Sequence, residues 1–397
     1  MLKEFRARFW QPPRAHGEID EERSVGFIEL FYDLVFVVVI ARAAHHLSEH
    51  LTWQGVFEFA VIFGMIWLAW LNGSIYQDLH GREDGRSRTY IFNQMGILAV
   101  LGVYTADAAG ETGDGFAITY TVLLLLLTWM WFQVRRQDAE EFMAVTFRYL
   151  VGMGVSVAVM VVSVVVSPGW QIGLWAALLV GWLLFMILME DWRGVSSMRP
   201  TDSTAERFGL FTIIVLGEVV VGVVTGLSEA ERDFRTIATG LLGLGIGFGF
   251  WWTYFDFVSR RFARERARMR WTVSHLPLVM AIAASGAAMV DLIEHSGEVA
   301  APTNAAWVLT GSIAVALLAL AYTMTTLGDF ARLPTIYRPT VAATIAGAVL
   351  SLAVGWWAPA PWMLVLALYA VLSAVWIVAV LGWLALEDPS DAQPNAV

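Results

Sequence analysis

The chain has 397 residues, of which 58% are hydrophobic and only 15% are charged, and its formal net charge is −10 at pH 7. Soluble domains carry about a quarter charged residues, so this composition excludes a protein whose surface faces water throughout. The absence of cysteine excludes disulfides and thiolate metal sites.

The two ends of the chain are polar. Residues 1–23 are polar and basic, and the apolar run after them is too long for the core of a cleavable signal peptide. We therefore predict a cytosolic N-terminal tail over residues 1–23 and a first span that is retained. Residues 388–397 are polar and contain two prolines, which predicts a cytosolic C-terminal tail.

Twelve apolar runs of membrane-spanning length lie between the tails. A hydrocarbon layer of roughly 30 Å needs about 20 helical residues, and a single span in lipid satisfies its backbone hydrogen bonds only as a helix. We therefore predict an all-α polytopic membrane protein with about twelve transmembrane helices. The runs begin near Ser24, Gly55, Thr89, Gly115, Phe147, Gln171, Ala205, Thr236, Thr272, Ala305, Val341 and Trp362.

The basic residues predict how these spans are oriented. Of the 25 lysines and arginines, 22 fall in the N-terminal tail or in the loops on the same side of the predicted membrane. By the positive-inside rule that side is the cytosol. The chain is therefore predicted to lie in the cell (cytoplasmic) membrane as a multi-pass protein with both termini in the cytosol.

Short sequence similarities between the two halves of the chain indicate an internal duplication. Trp70 precedes Asn93 by 23 residues, and Trp252 precedes His275 by the same interval. We predict two parallel six-helix repeats, over residues 24–192 and 205–387, joined by a cytosolic linker over residues 193–204. Repeats of this kind place a substrate at their interface in many carriers, although shared hydrophobic composition also produces some such similarities.

Carboxylates inside the spans are the strongest functional signal. A charge within a span costs several kcal/mol unless it faces a cavity or a partner. Glu29 and Asp33 lie four residues apart on one face of the first span. Glu218 lies eleven residues after Arg207, hence about 16 Å further along the helix and close to the membrane midplane. A helix-entry carboxylate paired with a loop arginine is the simpler alternative for Glu29 and Asp33, and structural burial with a partner is the alternative for Glu218.

Further polar residues extend the candidate site. His275 precedes Pro277, which frees a backbone carbonyl and can kink the ninth span. Two interpretations of His275 are open: a proton relay and a core histidine bonded to a carbonyl. Binding of an ion or substrate is predicted for Glu29, Asp33, Glu218, His275, Asn93 and Asn72. Arg207, Arg148 and Arg338 are predicted counter-ions, although snorkelling to the headgroups also explains Arg148 and Arg338.

Three segments of the chain stand out as possible family signatures. They are Phe27-Ile-Glu-Leu-Phe-Tyr-Asp-Leu-Val-Phe36, Arg207-Phe-Gly-Leu-Phe-Thr-Ile-Ile-Val-Leu-Gly-Glu218 and Ser274-His-Leu-Pro-Leu278. In this order they resemble three signatures of the bacterial low-temperature-requirement A family. The resemblance covers roughly Ser24 to Glu387. It implies a polytopic membrane protein and supports Glu29, Asp33, Arg207, Glu218 and His275 as functional positions. Val219 and Val220 depart from the small or hydroxyl residue expected after Glu218.

These observations predict a secondary transporter of a cation or small solute, coupled to protons. Glu218 and Asp33 would carry the proton or cation, Glu29 would tune them, and His275 would relay protons. Alternatives are a passive cation channel, an enzyme acting on a lipid or isoprenoid carrier through a metal bound by Glu29, Asp33 and His275, and a scaffold.

No phosphate-binding loop, HExxH motif or GxSxG motif occurs in the sequence. We expect no cofactor and no nucleic acid, and the predicted partners are the lipid bilayer and an unknown small solute or ion. A homo-oligomer is compatible with the sequence.

Overall fold

A computed structural model describes residues 9–16, 18, 25–190, 202–231, 233–259, 261 and 263–386. Most of the predicted N-terminal tail (1–23), most of the predicted linker (193–204) and all of the predicted C-terminal tail (388–397) lie outside these described residues. The described part is all-helical, with 13 α-helices and no β-strand. This confirms the predicted fold class.

Twelve of these helices are long, with 21 to 28 residues each. Each contains one of the predicted apolar runs. A single helical turn, Asp329–Arg332, connects the tenth long helix to the eleventh. The long helices are α1 Phe27–Glu49, α2 Trp53–His80, α3 Gly85–Thr105, α4 Gly113–Arg135, α5 Glu140–Ser163, α6 Pro168–Leu188, α7 Asp202–Glu229, α8 Phe234–Phe257, α9 Arg268–Glu294, α10 Thr303–Thr326, α11 Pro334–Trp357 and α12 Pro361–Leu384.

Ten of the described helices are long and apolar enough to cross a membrane. The other two predicted spans, α1 and α3, are helices of 23 and 21 residues that are not among these ten. Both carry charged side chains that protein atoms cover, for example Asp33 in α1 and Arg86 in α3, which are 0% and 2% exposed. A helix shielded by its neighbours tolerates such residues, because its polar groups do not meet lipid.

Local sequence signals set several helix ends. The side chains of Asp84 and Asp233 accept hydrogen bonds from the backbone N–H groups of Ser87 and Thr236, and so cap α3 and α8. Prolines occupy the first turn of α6, α11 and α12, where no intrahelical N–H is lost. Pro277 lies inside α9, as the sequence indicates.

The chain forms two compact units. Unit 1 comprises residues 1–43 and 58–207, and unit 2 comprises residues 44–57 and 208–397. In unit 1, α4 packs against α3 and α5, and α5 packs against α6. The buried helix α2 contacts α4 through the hydroxyl of Tyr120, which donates to the carbonyl of Met65 at 2.9 Å. The predicted repeats over 24–192 and 205–387 stay a prediction.

Unit 2 is built around α9. This helix packs against α8 and α10. Helix α11 packs against α10 and α12, and α12 also packs against α8. Helix α7 meets α9 at two glycines, where a Cβ atom on Gly222 would overlap the carbonyl oxygen of Gly286. Backbones in membrane proteins approach this closely only where small residues face each other.

Candidate site at the Asp33–Arg207 ion pair

Helix α1 turns its two carboxylates into unit 1. Glu29 and Asp33 are 5% and 0% exposed, and the neighbouring Tyr32 and Phe36 are also buried, whereas Phe31 and Leu34 are exposed. The spacing of four residues therefore places both acids on the inward face, as a helix requires. The structure thus brings the two predicted carboxylates to one location.

Arg207, near the start of α7, is the counter-ion of this pair. Its Nη2 atom donates to Oδ1 of Asp33 at 3.0 Å, and its Nη1 atom lies 3.9 Å from Oε2 of Glu29. The Arg207 side chain is 1% exposed. Arg148 and Arg338, the other predicted counter-ions, are exposed.

Helix α2 supplies two further contacts that the sequence analysis did not find. Nε1 of Trp70 donates to Oδ1 of Asp33 at 2.9 Å. The carbonyl oxygen of Ser74, one turn later, lies 3.5 Å from Nη1 of Arg207. In the sequence these contacts are indicated only by a tryptophan and a serine that lie four residues apart in a largely apolar helix. This spacing places both side chains on one face of the helix.

Several polar atoms around the pair remain unsatisfied. Oδ2 of Asp33, Nε of Arg207 and Oγ of Ser74 are buried and have no hydrogen-bond partner within the described part of the chain. The same holds for Nε2 of Gln77 and Oγ of Ser203. A buried polar group without a partner costs about 1–3 kcal/mol. The unpartnered atoms of Asp33, Arg207 and Ser74, which contact one another through Arg207, therefore suit a further polar partner such as water.

Asn72 and Asn93 have different surroundings. Oδ1 of Asn72 accepts a hydrogen bond from Nε1 of Trp131 at 3.0 Å, and its Nδ2 atom lies 3.3 Å from the sulfur of Met153. Asn93 is exposed, whereas its neighbour Gln94 is buried and accepts a hydrogen bond from the Tyr32 hydroxyl at 3.0 Å. Adjacent helical residues point about 100° apart, so only Gln94 faces the interior.

Glu218 lies in unit 2 and is 4% exposed. Within the described residues its carboxylate has no hydrogen-bond or ion-pair partner. Glu218 lies where α7 approaches α9 closely. A Cβ atom on Gly286 of α9 would meet the backbone carbonyl of Glu218. The structure therefore places Glu218 at a tightly packed helix crossing.

His275 is fully buried in unit 2 and has both ring nitrogens engaged. Its Nδ1 atom lies 2.7 Å from the carbonyl oxygen of Trp271, and its Nε2 atom lies 3.1 Å from the Tyr254 hydroxyl. A neutral ring that donates through Nδ1 and accepts at Nε2 satisfies both contacts. These contacts favour the core-histidine alternative over a relay.

A second buried cluster in unit 1 was not predicted. Nδ1 of His16 lies 2.6 Å from Oδ1 of Asp138, whose other oxygen accepts a hydrogen bond from the Thr146 hydroxyl at 2.6 Å. The His16 ring lies edge-on to His80 at 4.5 Å. Burial raises the pKa of Asp138, but the bonds from His16 and Thr146 outweigh it and leave this pKa below its ordinary value. No local pattern signals the cluster, because His16 and Asp138 are 122 positions apart.

A bundle of membrane-length helices with an ion pair buried in one unit defines a multi-pass membrane protein in contact with lipid. The chain belongs to the bacterial low temperature requirement A (LtrA) family, whose model matches residues 24–381. It is also 25% identical over 286 residues to an uncharacterized protein of Rhizobium meliloti (strain 1021), covering 66% of this chain and 68% of that protein. No solved structure matches the chain.

Proposed function

We propose that the protein is a proton-coupled secondary transporter of a cation or small polar solute, and that Glu29, Asp33 and Arg207 form its coupling site. The observation that carries the proposal is the buried Asp33 carboxylate, which is bonded to Arg207 through one oxygen and has no partner for the other within the described residues.

The arrangement supports exchange of partners at Arg207. Its guanidinium lies 3.0 Å from Asp33 and 3.9 Å from Glu29. Protonation of Asp33 removes the charge that holds Arg207, which then moves toward Glu29 or a bound anionic or polar group. The site then has two states, which differ by one proton and by the partner of Arg207. Coupling of proton movement to solute transport requires two such states.

Polar residues on α2 offer a route to this site. Trp70, Ser74 and Gln77 follow one another at helical spacing, and the Oδ2 atom of Asp78 accepts a hydrogen bond from the Thr204 hydroxyl near the start of α7. The unsatisfied atoms of Ser74 and Gln77 lie along this line. Water in the line would connect Asp33 to the end of α2, which the positive-inside rule assigns to the cytosol.

The proposal includes a second protonatable group in unit 2. Glu218 is buried without a partner in the described residues, so it is the other candidate proton carrier. His275 serves to position α8 against α9 through Tyr254. The proposed location is the bacterial cytoplasmic membrane with both termini in the cytosol, as the distribution of 22 of the 25 basic residues indicates.

Purified protein in liposomes containing a pH-sensitive dye tests the proposal. Pulses of Na⁺, K⁺, Li⁺, Mn²⁺ or Mg²⁺ are applied, and proton movement is recorded for wild type, Asp33→Asn and Glu218→Gln. We expect at least one cation to drive proton movement in the wild type, and Asp33→Asn to abolish it. Glu111→Gln, which changes an exposed carboxylate, is the matched control and should transport normally.

Three results would contradict the proposal. Equal proton movement in wild type and Asp33→Asn would remove the site. A conductance that does not saturate and carries no coupled protons would indicate a channel. Turnover of a lipid by the purified protein would indicate an enzyme, although Glu29 and Asp33 are not among the groups of converging metal ligands in the described residues.

A further inference from the structure

We infer that the turn from α1 to α2 is a binding site for a divalent transition-metal ion, held by His46, Glu49 and His50. The three residues lie in the sequence His46-Leu-Ser-Glu-His50, in which Glu49 and His50 follow His46 by three and four residues. His46 and Glu49 are in the last turn of α1, and His50 follows directly after its end. Residues with this spacing lie on one face of a helix. This inference does not depend on the proposed transport function.

The ligand atoms already lie close together. One ligand atom from each of the three residues lies within 4.8 Å of the others, and the rings of His46 and His50 are stacked at 4.4 Å with an angle of 25°. Ligand atoms bound tetrahedrally to one Zn²⁺ are about 3.3 Å apart, given metal–ligand distances near 2.0–2.2 Å. Glu49 and His50 are exposed, so rotation about their side-chain bonds can close the remaining gap.

Backbone contacts orient His50 for this role. Its Nδ1 atom lies 3.1 Å from the carbonyl oxygen of His46, which leaves Nε2 for a metal. Metal-binding histidines commonly bond their other nitrogen to a carbonyl in this way. The position of His50 is also fixed, because the N–H of Thr52 donates to its carbonyl at 2.7 Å and a Cβ atom on Gly55 would overlap that carbonyl.

The ligand set indicates the class of metal. Two imidazoles and one carboxylate suit Zn²⁺, Ni²⁺ or Cu²⁺, whereas Mg²⁺ and Ca²⁺ prefer oxygen ligands alone. The order His-x-x-Glu-His reverses the HExxH motif, and it keeps the same four-residue separation between the histidines. A three-residue site at an exposed turn leaves the fourth position of the metal to water or another ligand.

The test is titration of the purified full-length protein, prepared without a histidine tag, with ZnCl₂ in a calorimeter. We expect one Zn²⁺ per chain, with the Kd raised at least tenfold by His46→Ala and by His50→Ala. His45→Ala is the matched control, since His45 lies 3.6 Å from Glu49 in the same turn but is outside the ligand group. It should change the Kd by less than threefold.

A second measurement separates ligand loss from misfolding. Each variant must elute as a single species in size-exclusion chromatography. Bound Cu²⁺ should show nitrogen coupling from two imidazoles in the EPR spectra of the wild type and His45→Ala, but not of His46→Ala or His50→Ala. The inference is overturned if no Zn²⁺ binds, or if the His46/His50 double variant binds as the wild type does. It is also overturned if binding is lost in His295→Ala alone, because His295 belongs to the other candidate group, with Asp291 and Glu294.

Discussion

Arg207 and Asp33 are 174 positions apart in the sequence, and yet the guanidinium of one donates to the carboxylate of the other at 3.0 Å with both side chains essentially out of contact with solvent. The pair joins the first long helix to the seventh within unit 1. Removing Asp33 alone leaves Arg207 with only the more distant Glu29 carboxylate, whereas removing Glu29, Asp33 and Arg207 together leaves none of the three charges. This difference allows the structural role of the pair to be separated from its role in transport.

Asp33→Asn should lower the free energy of unfolding by about 3–5 kcal/mol, because Arg207 loses its bonded carboxylate in a buried setting and keeps only Glu29, at 3.9 Å. The triple variant Glu29→Gln, Asp33→Asn, Arg207→Gln should recover a large part of that loss. Thermal unfolding in detergent, followed by tryptophan fluorescence, measures both. The triple variant should nevertheless remain inactive in proton-coupled uptake, since the titrating groups are absent. A triple variant no more stable than Asp33→Asn would show that the ion pair does not carry the stability.

Trp70→Phe tests the indole contact with Asp33. The change keeps an aromatic ring in the core but removes the N–H that donates to Oδ1 at 2.9 Å. We expect a loss of about 1–3 kcal/mol in stability and a large reduction in proton-coupled uptake. Trp175→Phe is the matched control, because Trp175 is also fully buried in unit 1 and donates to the Ser163 hydroxyl at 3.0 Å. Equal loss of uptake in both variants would argue against a specific role for Trp70.

Asp138 should hold residues 9–16 against the rest of unit 1 in a pH-dependent way. A carboxyl whose pKa is lower in the folded state stabilises that state above its unfolded pKa of about 3.9, and the contribution disappears as the pH falls. The protection factors of the backbone amides in residues 9–16, which correct for the intrinsic pH dependence of exchange, should therefore fall below about pH 4 in the wild type. In Asp138→Asn these protection factors should already be low at pH 7 and should change little on acidification. Unaltered protection in Asp138→Asn would contradict this account.

Gly222→Ala should disturb the crossing of α7 and α9, because its Cβ atom would overlap the carbonyl oxygen of Gly286. Overpacking of this kind costs about 1–3 kcal/mol. Gly217→Ala, in the same helix, meets nothing within 4 Å and should leave stability unchanged or raise it by up to about 1 kcal/mol. Thermal unfolding of the two variants compares them directly. A stable Gly222→Ala protein would mean that the helices are farther apart than the structure indicates.

Tyr254→Phe should distinguish a structural role of His275 from a role as a proton relay. Loss of the hydroxyl leaves Nε2 of the buried ring without its bond, at a cost of about 1–3 kcal/mol. If the histidine is structural, proton-coupled uptake per folded molecule should be unchanged across pH. A shifted pH profile of proton-coupled uptake in this variant would instead support the interpretation of His275 as a proton relay.

The helical class, the positions of the spans and the inward face of Glu29 and Asp33 followed from local patterns. Hydropathy and helical spacing act over a few turns, so a single sequence displays them. The same spacing could not say which of Asn93 and Gln94 faces inward, because the apolar pattern of α3 is too even around the helix. The structure resolves this with the bond between Gln94 and Tyr32.

Long-range partners were harder to predict. Arg207 was one of three predicted counter-ions, and the sequence offered no means to rank it above Arg148 or Arg338. Trp70 and Ser74 were missed as partners, and so was the cluster of His16, Asp138 and His80. These contacts join segments that come together only after the helices pack, so their pairing depends on tertiary structure rather than on any local motif.

The wide separation of Asp33 and Arg207 also constrains biogenesis. A ribosome adding 5–20 residues per second needs roughly 10–35 s to pass from one to the other. During that interval α1 has left the exit tunnel, while the arginine that balances its acids has yet to be translated. The nascent helix must therefore keep Glu29 and Asp33 protonated or hydrated at the insertion machinery, and it can settle among its neighbours only when α7 emerges.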